Sequence, residues 1–92
     1  MIIRVKIYNM YLPLSQSLKD KRSVIKSIIT KIHNKFNVSI SEIDNLNKCK
    51  YCTIGIALIT NNNAYADNVF SKIEDFIDSY QYIQIVSIQQ YL

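Results

Sequence analysis

The chain predicts an α+β fold, a ferredoxin-like βαββαβ sandwich: a four-stranded antiparallel sheet with two helices on one face. Three observations predict it. Hydrophobic periodicity alternates between 2 and 3.6 in the order strand, helix, strand, strand, helix, strand. Both helical segments are amphipathic, so both must cover the sheet. The 92 residues contain one Gly and one Pro, which leaves little long irregular loop and makes residues 1–92 a single domain.

The first strand spans residues 2–12, IIRVKIYNMYL. Ile3, Val5 and Ile7 share one face, and Arg4, Lys6 and Tyr8 share the other. Pro13 ends it, because proline cannot donate to a sheet ladder. A helix follows over 18–36, with Ser17 as N-cap and Asp20 three residues on, a short-acid capping box. Leu18, Ile25, Ile29, Ile32 and Phe36 form its apolar stripe, with Ile28 at the border. Asn37 suits a left-handed stop.

A short strand then runs from Val38 to Ile43, with Val38 and Ile40 alternating against Ser39 and Ser41. A polar turn leads into residues 50–60, the most apolar strand and a central one. Gly55 in its middle marks a bulge or a close approach. Asn61–Asn63 offers N-caps for a second amphipathic helix whose apolar residues are Ala66, Val69, Phe70, Ile73, Phe76, Ile77 and Tyr80. Residues 82–91 make the last strand, with a bulge near Val86 and Ser87. The right-handed crossover rule sets the third strand beside the first, with the second and fourth at the edges. On this reading the open sheet face carries Tyr8, Met10, Tyr51 and Ile59, a mixed apolar patch suited to a homodimer interface.

The formal charge is +4. Residues 1–50 hold ten Lys/Arg against three Asp/Glu, and residues 51–92 hold one against four. A basic half of this kind fits a polyanion or an acidic protein surface. The cations concentrate at the first helix start. Lys19, Arg22 and Lys26 fall within an arc of roughly 60° at about 100° per residue. Lys21 lies at the margin of the apolar stripe, from where it can snorkel outward. First-turn cations oppose the helix dipole, so Lys19, Lys21, Arg22 and Lys26 are the candidate phosphate contacts, with Arg4 and Lys6 in support.

Enzyme chemistry finds no footing. One glycine excludes a Gly-rich phosphate loop. His33 has no acid or nucleophile near it in sequence. Cys49-Lys50-Tyr51-Cys52 enters a strand rather than a helix N-terminus, and it lacks the second ligand pair of a structural zinc site. No catalytic residue, cofactor or metal site is expected. No apolar run approaches a membrane span or a secretory leader, so the chain reads as soluble and cytoplasmic, without a membrane partner.

The Ser17-Leu18-Lys19-Asp20-Lys21-Arg22 helix start, Phe36-Asn37-Val38-Ser39 leading to Glu42-Ile43-Asp44, and Gly55-Ile56-Ala57 together resemble the bacterial YlxP-like family. The likeness covers essentially the whole chain. It implies a ferredoxin-like sandwich of unknown function, from genes that often lie among those for translation initiation and ribosome maturation. It therefore implies RNA or a ribosomal particle as a possible partner. The family's His, Trp and acid near Asn45, Cys49 and Thr53 are absent here.

Overall fold

The computed structural model describes all 92 residues. The elements are β1 (Ile2–Tyr11), α1 (Leu18–Lys35), β2 (Ser39–Asp44), β3 (Tyr51–Thr60), α2 (Asn63–Asp78) and β4 (Gln84–Gln90). The strands form one antiparallel sheet in the order β2-β3-β1-β4, as the crossover rule requires. This is the expected ferredoxin-like arrangement.

Local chemistry sets the helix ends. Ser17 is extended and accepts a hydrogen bond from the Asp20 backbone N–H at 3.0 Å. Asn62 does the same for Tyr65 at the start of α2. The end of α1 differs from the sequence reading. Phe36 leaves the helix in an extended conformation, and the only positive φ in the chain is at Asn45, 60°. Phe36 packs against the core, so its burial ends the helix without a left-handed residue at Asn37.

The core lies between the helices and one sheet face. From α1 come Ile25, Ile28 and Ile32; from α2 come Ala66, Val69, Phe70, Ile73 and Ile77. Ile28 stands at the centre of its stripe rather than at the border. From β3 come Cys52, Ile54, Ile56 and Leu58, as the alternation predicts.

On β1 the faces are reversed. Tyr8, Met10 and Leu12 are buried in the core, while Ile3 is exposed and Val5 and Ile7 are half-buried. Arg4 and Lys6 therefore also point to the helices. The cause is twofold. Tyr8, Met10 and Leu12 bring more volume inward than Ile3, Val5 and Ile7 would. The two cations meet acids on α2, so their burial is compensated.

Two irregularities shape the edges. The β1–β4 register slips between Asn9 and Met10, leaving Val86 as the extra residue where a bulge was expected. The β2–β3 register slips between Glu42 and Asp44, which turns Ile43 over Gly55. A Cβ at Gly55 would stand 3.2 Å from the Ile43 Cδ1, so the glycine permits a close side-chain approach, not a bulge of its own.

Candidate functional site

The chain's cations separate into those engaged within the fold and those left in water. Lys21 belongs to the first set, contrary to its expected place among the phosphate contacts. It is fully buried. Its angle on α1 puts it in line with Ile25, Ile28 and Ile32, and the stem follows that stripe inward. The ammonium donates to the Asn45 carbonyl at 2.6 Å and lies 2.8 Å from Glu42 Oε2. That oxygen has no aligned hydrogen-bond donor, so the Lys21–Glu42 contact is an ion pair held by charge. The left-handed Asn45 backbone belongs to the same cluster and turns the chain between β2 and β3. Lys21 thus pins that turn to α1.

Cys52 lies beside this pair. Burial pushes its thiol well above the ordinary range, and the Glu42 carboxylate adds to the effect while Lys21 opposes it. The thiol therefore stays protonated. Cys49 is half-buried, both cysteines are free, and no group of three or more His, Cys, Asp or Glu side chains is placed to hold a metal.

Arg4 and Lys6 are engaged by α2. Arg4 pairs with Asp67 and donates to Asn63 Oδ1 at 3.2 Å. Lys6 lies 3.3 Å from Glu74 Oε2 and 5.2 Å from the Phe70 ring centroid. The same Glu74 oxygen accepts from the Tyr8 hydroxyl at 2.7 Å. Burial raises the Tyr8 phenol far above its usual range, with the Glu74 hydrogen bond second. Tyr8 is therefore a core residue, and neither it nor Met10 can serve an interface on the open face. Lys50 donates to the Pro13 and Ser15 carbonyls at 2.7 and 2.9 Å. Lys31 and Lys35 lie over Tyr80, Phe36 and Phe76.

Five cations remain: Lys48 lies in the β2–β3 turn and Lys72 on α2, while the other three, Lys19, Arg22 and Lys26, share one flank of α1. All three are exposed, and no ion pair or side-chain hydrogen bond engages them. Arg22 and Lys26 line a shallow groove of ≈ 310 Å³ with Ile29, Thr30 and Glu42, on the flank of α1 nearest β2. His33 continues that flank, exposed. The arrangement offers neighbouring cations to an extended anion. It offers no nucleophile paired with a base.

The open sheet face is a second feature. Tyr51 and Ile59 lie there, as expected, and Ile59 is 65 % exposed. Tyr11 joins Tyr51, their ring centroids 5.2 Å apart. Sequence reasoning missed Ile3, Val5 and Ile7 as members of this face. It missed Glu42 and Asn45 as the partners of Lys21; the stripe angle of Lys21 was the available signal.

Residues 3–90 match the family described as "Protein of unknown function (DUF503)". A Bacillus subtilis protein described as "Uncharacterized protein YlxP" is 40% identical over 68 residues, 74% of each chain.

Proposed function

This chain belongs to the DUF503 family, and for it we propose a non-enzymatic accessory role: contact with RNA or a ribonucleoprotein particle through the outer flank of α1. Lys19, Arg22 and Lys26 hold phosphates; Lys21 does not. The observation that carries this reading is selective exposure. Arg4, Lys6, Lys21 and Lys50 are occupied inside the fold, while these three cations stand together in water on one helix flank. The translation-linked gene setting implied by the family resemblance supports the choice of polyanion. Three phosphate contacts give a log–log salt slope of roughly −2 on single-stranded nucleic acid.

The test is co-sedimentation with ribosomal subunits across a salt series, beside the Lys19→Ala/Arg22→Ala/Lys26→Ala variant. Binding that falls with salt and is lost in the variant supports the proposal. Equal binding by the variant, or none by the native chain at low salt, overturns it. The apolar open sheet face favours a second reading, a homo-oligomeric interaction module with no nucleic-acid role. In that reading the native chain self-associates and leaves ribosomal particles alone.

A further inference from the structure

Water-facing sheet surfaces ordinarily carry charge. Here three of the four charged side chains of the strands, Arg4, Lys6 and Glu42, point to the helices. The outward positions are Ile3, Val5, Ile7, Asn9 and Tyr11 on β1, each opposite Ile59, Ala57, Gly55, Thr53 and Tyr51 on β3. Ser39, Ser41 and Ile43 extend the face across β2, and Ser87 and Gln89 extend it across β4. Asp44, at the corner where β2 ends, is the one charged residue whose register position adjoins it. From this we infer that the open sheet face docks a second copy of this chain, sheet against sheet.

Four properties of the face specify that occupant. The first is charge. A nucleic acid stacking on Tyr11 and Tyr51 would need cations beside them, and the face has none. A chain of net charge +4 can approach its own copy here with little repulsion, because its exposed Lys and Arg residues lie on the two helices, Lys48 in the β2–β3 turn excepted.

The second property is how the polar groups are satisfied. Asn45 donates to Thr53 Oγ1 at 2.8 Å, Thr53 to Asn9 Oδ1 at 2.8 Å, and Asn9 to Ser87 Oγ at 3.0 Å. This string runs from the β2–β3 turn across β3, β1 and β4. Its members bond one another, so covering them strips little water from unpaired groups.

The third is relief. A trough of ≈ 350 Å³ lies near the middle of the face, lined by Val5, Ile7, Gly55 and Ala57 together with Ile43 and Tyr91. Ile59, Ile43 and Tyr91 project from the same surface, 65 %, 49 % and 72 % exposed. One surface thus offers both a hole and the apolar knobs to fill it, as a two-fold interface requires.

The fourth is size. Four strands at about 4.8 Å spacing, each contributing some eight residues at about 3.3 Å, outline roughly 500 Å² before side-chain relief. Relief raises the accessible area toward the ~800 Å² per partner of a standard interface.

Sedimentation equilibrium of the full chain tests this, at concentrations up to hundreds of micromolar and at low and high salt. The expected result is a dimer that persists in high salt, because the contact is apolar. Ile59→Glu should weaken it at least about 30-fold. Ile3→Glu, on the neighbouring strand, should do the same, and circular dichroism identifies any variant that fails to fold. Lys72→Glu, exposed on α2, should leave the dimer intact. A native chain that stays monomeric throughout overturns the inference, whatever else binds the face. So does a dimer that survives both glutamate substitutions in folded protein.

Discussion

Lys21 and Arg22 are neighbours in the chain and opposites in the fold. Lys21 is fully buried, with its ammonium against Glu42 and the Asn45 carbonyl. Arg22 is exposed on the α1 flank with Lys19 and Lys26. One helical step of about 100° separates a group that holds the fold together from one free to meet a partner. The contrast extends through the basic half. Arg4, Lys6 and Lys50 resemble Lys21 in being engaged by their own chain. A positive count in sequence therefore overstates the positive surface. The two sets should separate experimentally: inward cations govern stability, and outward ones govern binding.

The largest expected effect is at Lys21. Lys21→Ala leaves Glu42 buried without its counter-charge and should cost about 3–5 kcal/mol in urea unfolding. The double variant Lys21→Met/Glu42→Leu should recover most of that loss, since an apolar pair of similar volume needs no compensation. A Lys21→Ala chain as stable as the native one would contradict the assignment.

Tyr8→Phe comes next. It removes a buried hydroxyl bonded to Glu74 and should cost about 1 kcal/mol. Asp67→Asn should cost less, because Asp67 is mostly exposed and surface pairs contribute ~0–1 kcal/mol. A larger loss at Asp67 than at Tyr8 would reverse the expected depth of β1.

Alkali offers a related test. Cys52 and Tyr8 keep their protons in the folded chain at pH values where the unfolded chain releases them. The folded state then binds more protons, so stability falls as pH rises. Their contribution should be intact below about pH 8.5, where a free thiol begins to ionise, and decline steadily above it. Urea midpoints at pH 7 and pH 10 measure this. In the native protein at neutral pH, Cys52 should resist alkylation until the chain unfolds.

Much of the fold is legible in the residues. The switch from period two to period 3.6 marks every element, and Ser17 and Asn62 cap the helices as their side chains allow. The order of strands follows from crossover handedness. Strand β1 is less legible because both of its faces are apolar in part. Ile3, Val5 and Ile7 alternate cleanly, but the competing set Tyr8, Met10 and Leu12 fills the core. The compensation for Arg4 and Lys6 lies on α2, at Asp67 and Glu74, more than sixty residues away in the chain. Periodicity within one strand carries no information about such partners.

The candidate site shows the same division. The flank of Lys19, Arg22 and Lys26 follows from helical angle alone. The burial of Lys21 depends on Glu42 and Asn45, which reach it only through the β2–β3 turn. Likewise, the uncharged character of the open sheet face emerges only once the orientation of β1 is known.

The smallest expected change in stability accompanies the largest expected change in binding. No ion pair or side-chain hydrogen bond engages Lys19, Arg22 and Lys26, so replacing all three with Ala should leave the urea midpoint nearly unchanged. The most direct measurement is the affinity of this triple variant and the native chain for ribosomal RNA over a salt series, with the urea midpoint of each. The account predicts native binding that weakens with salt at a slope of roughly −2 and near-complete loss in an equally stable variant. A folded variant that binds with the native slope would contradict it.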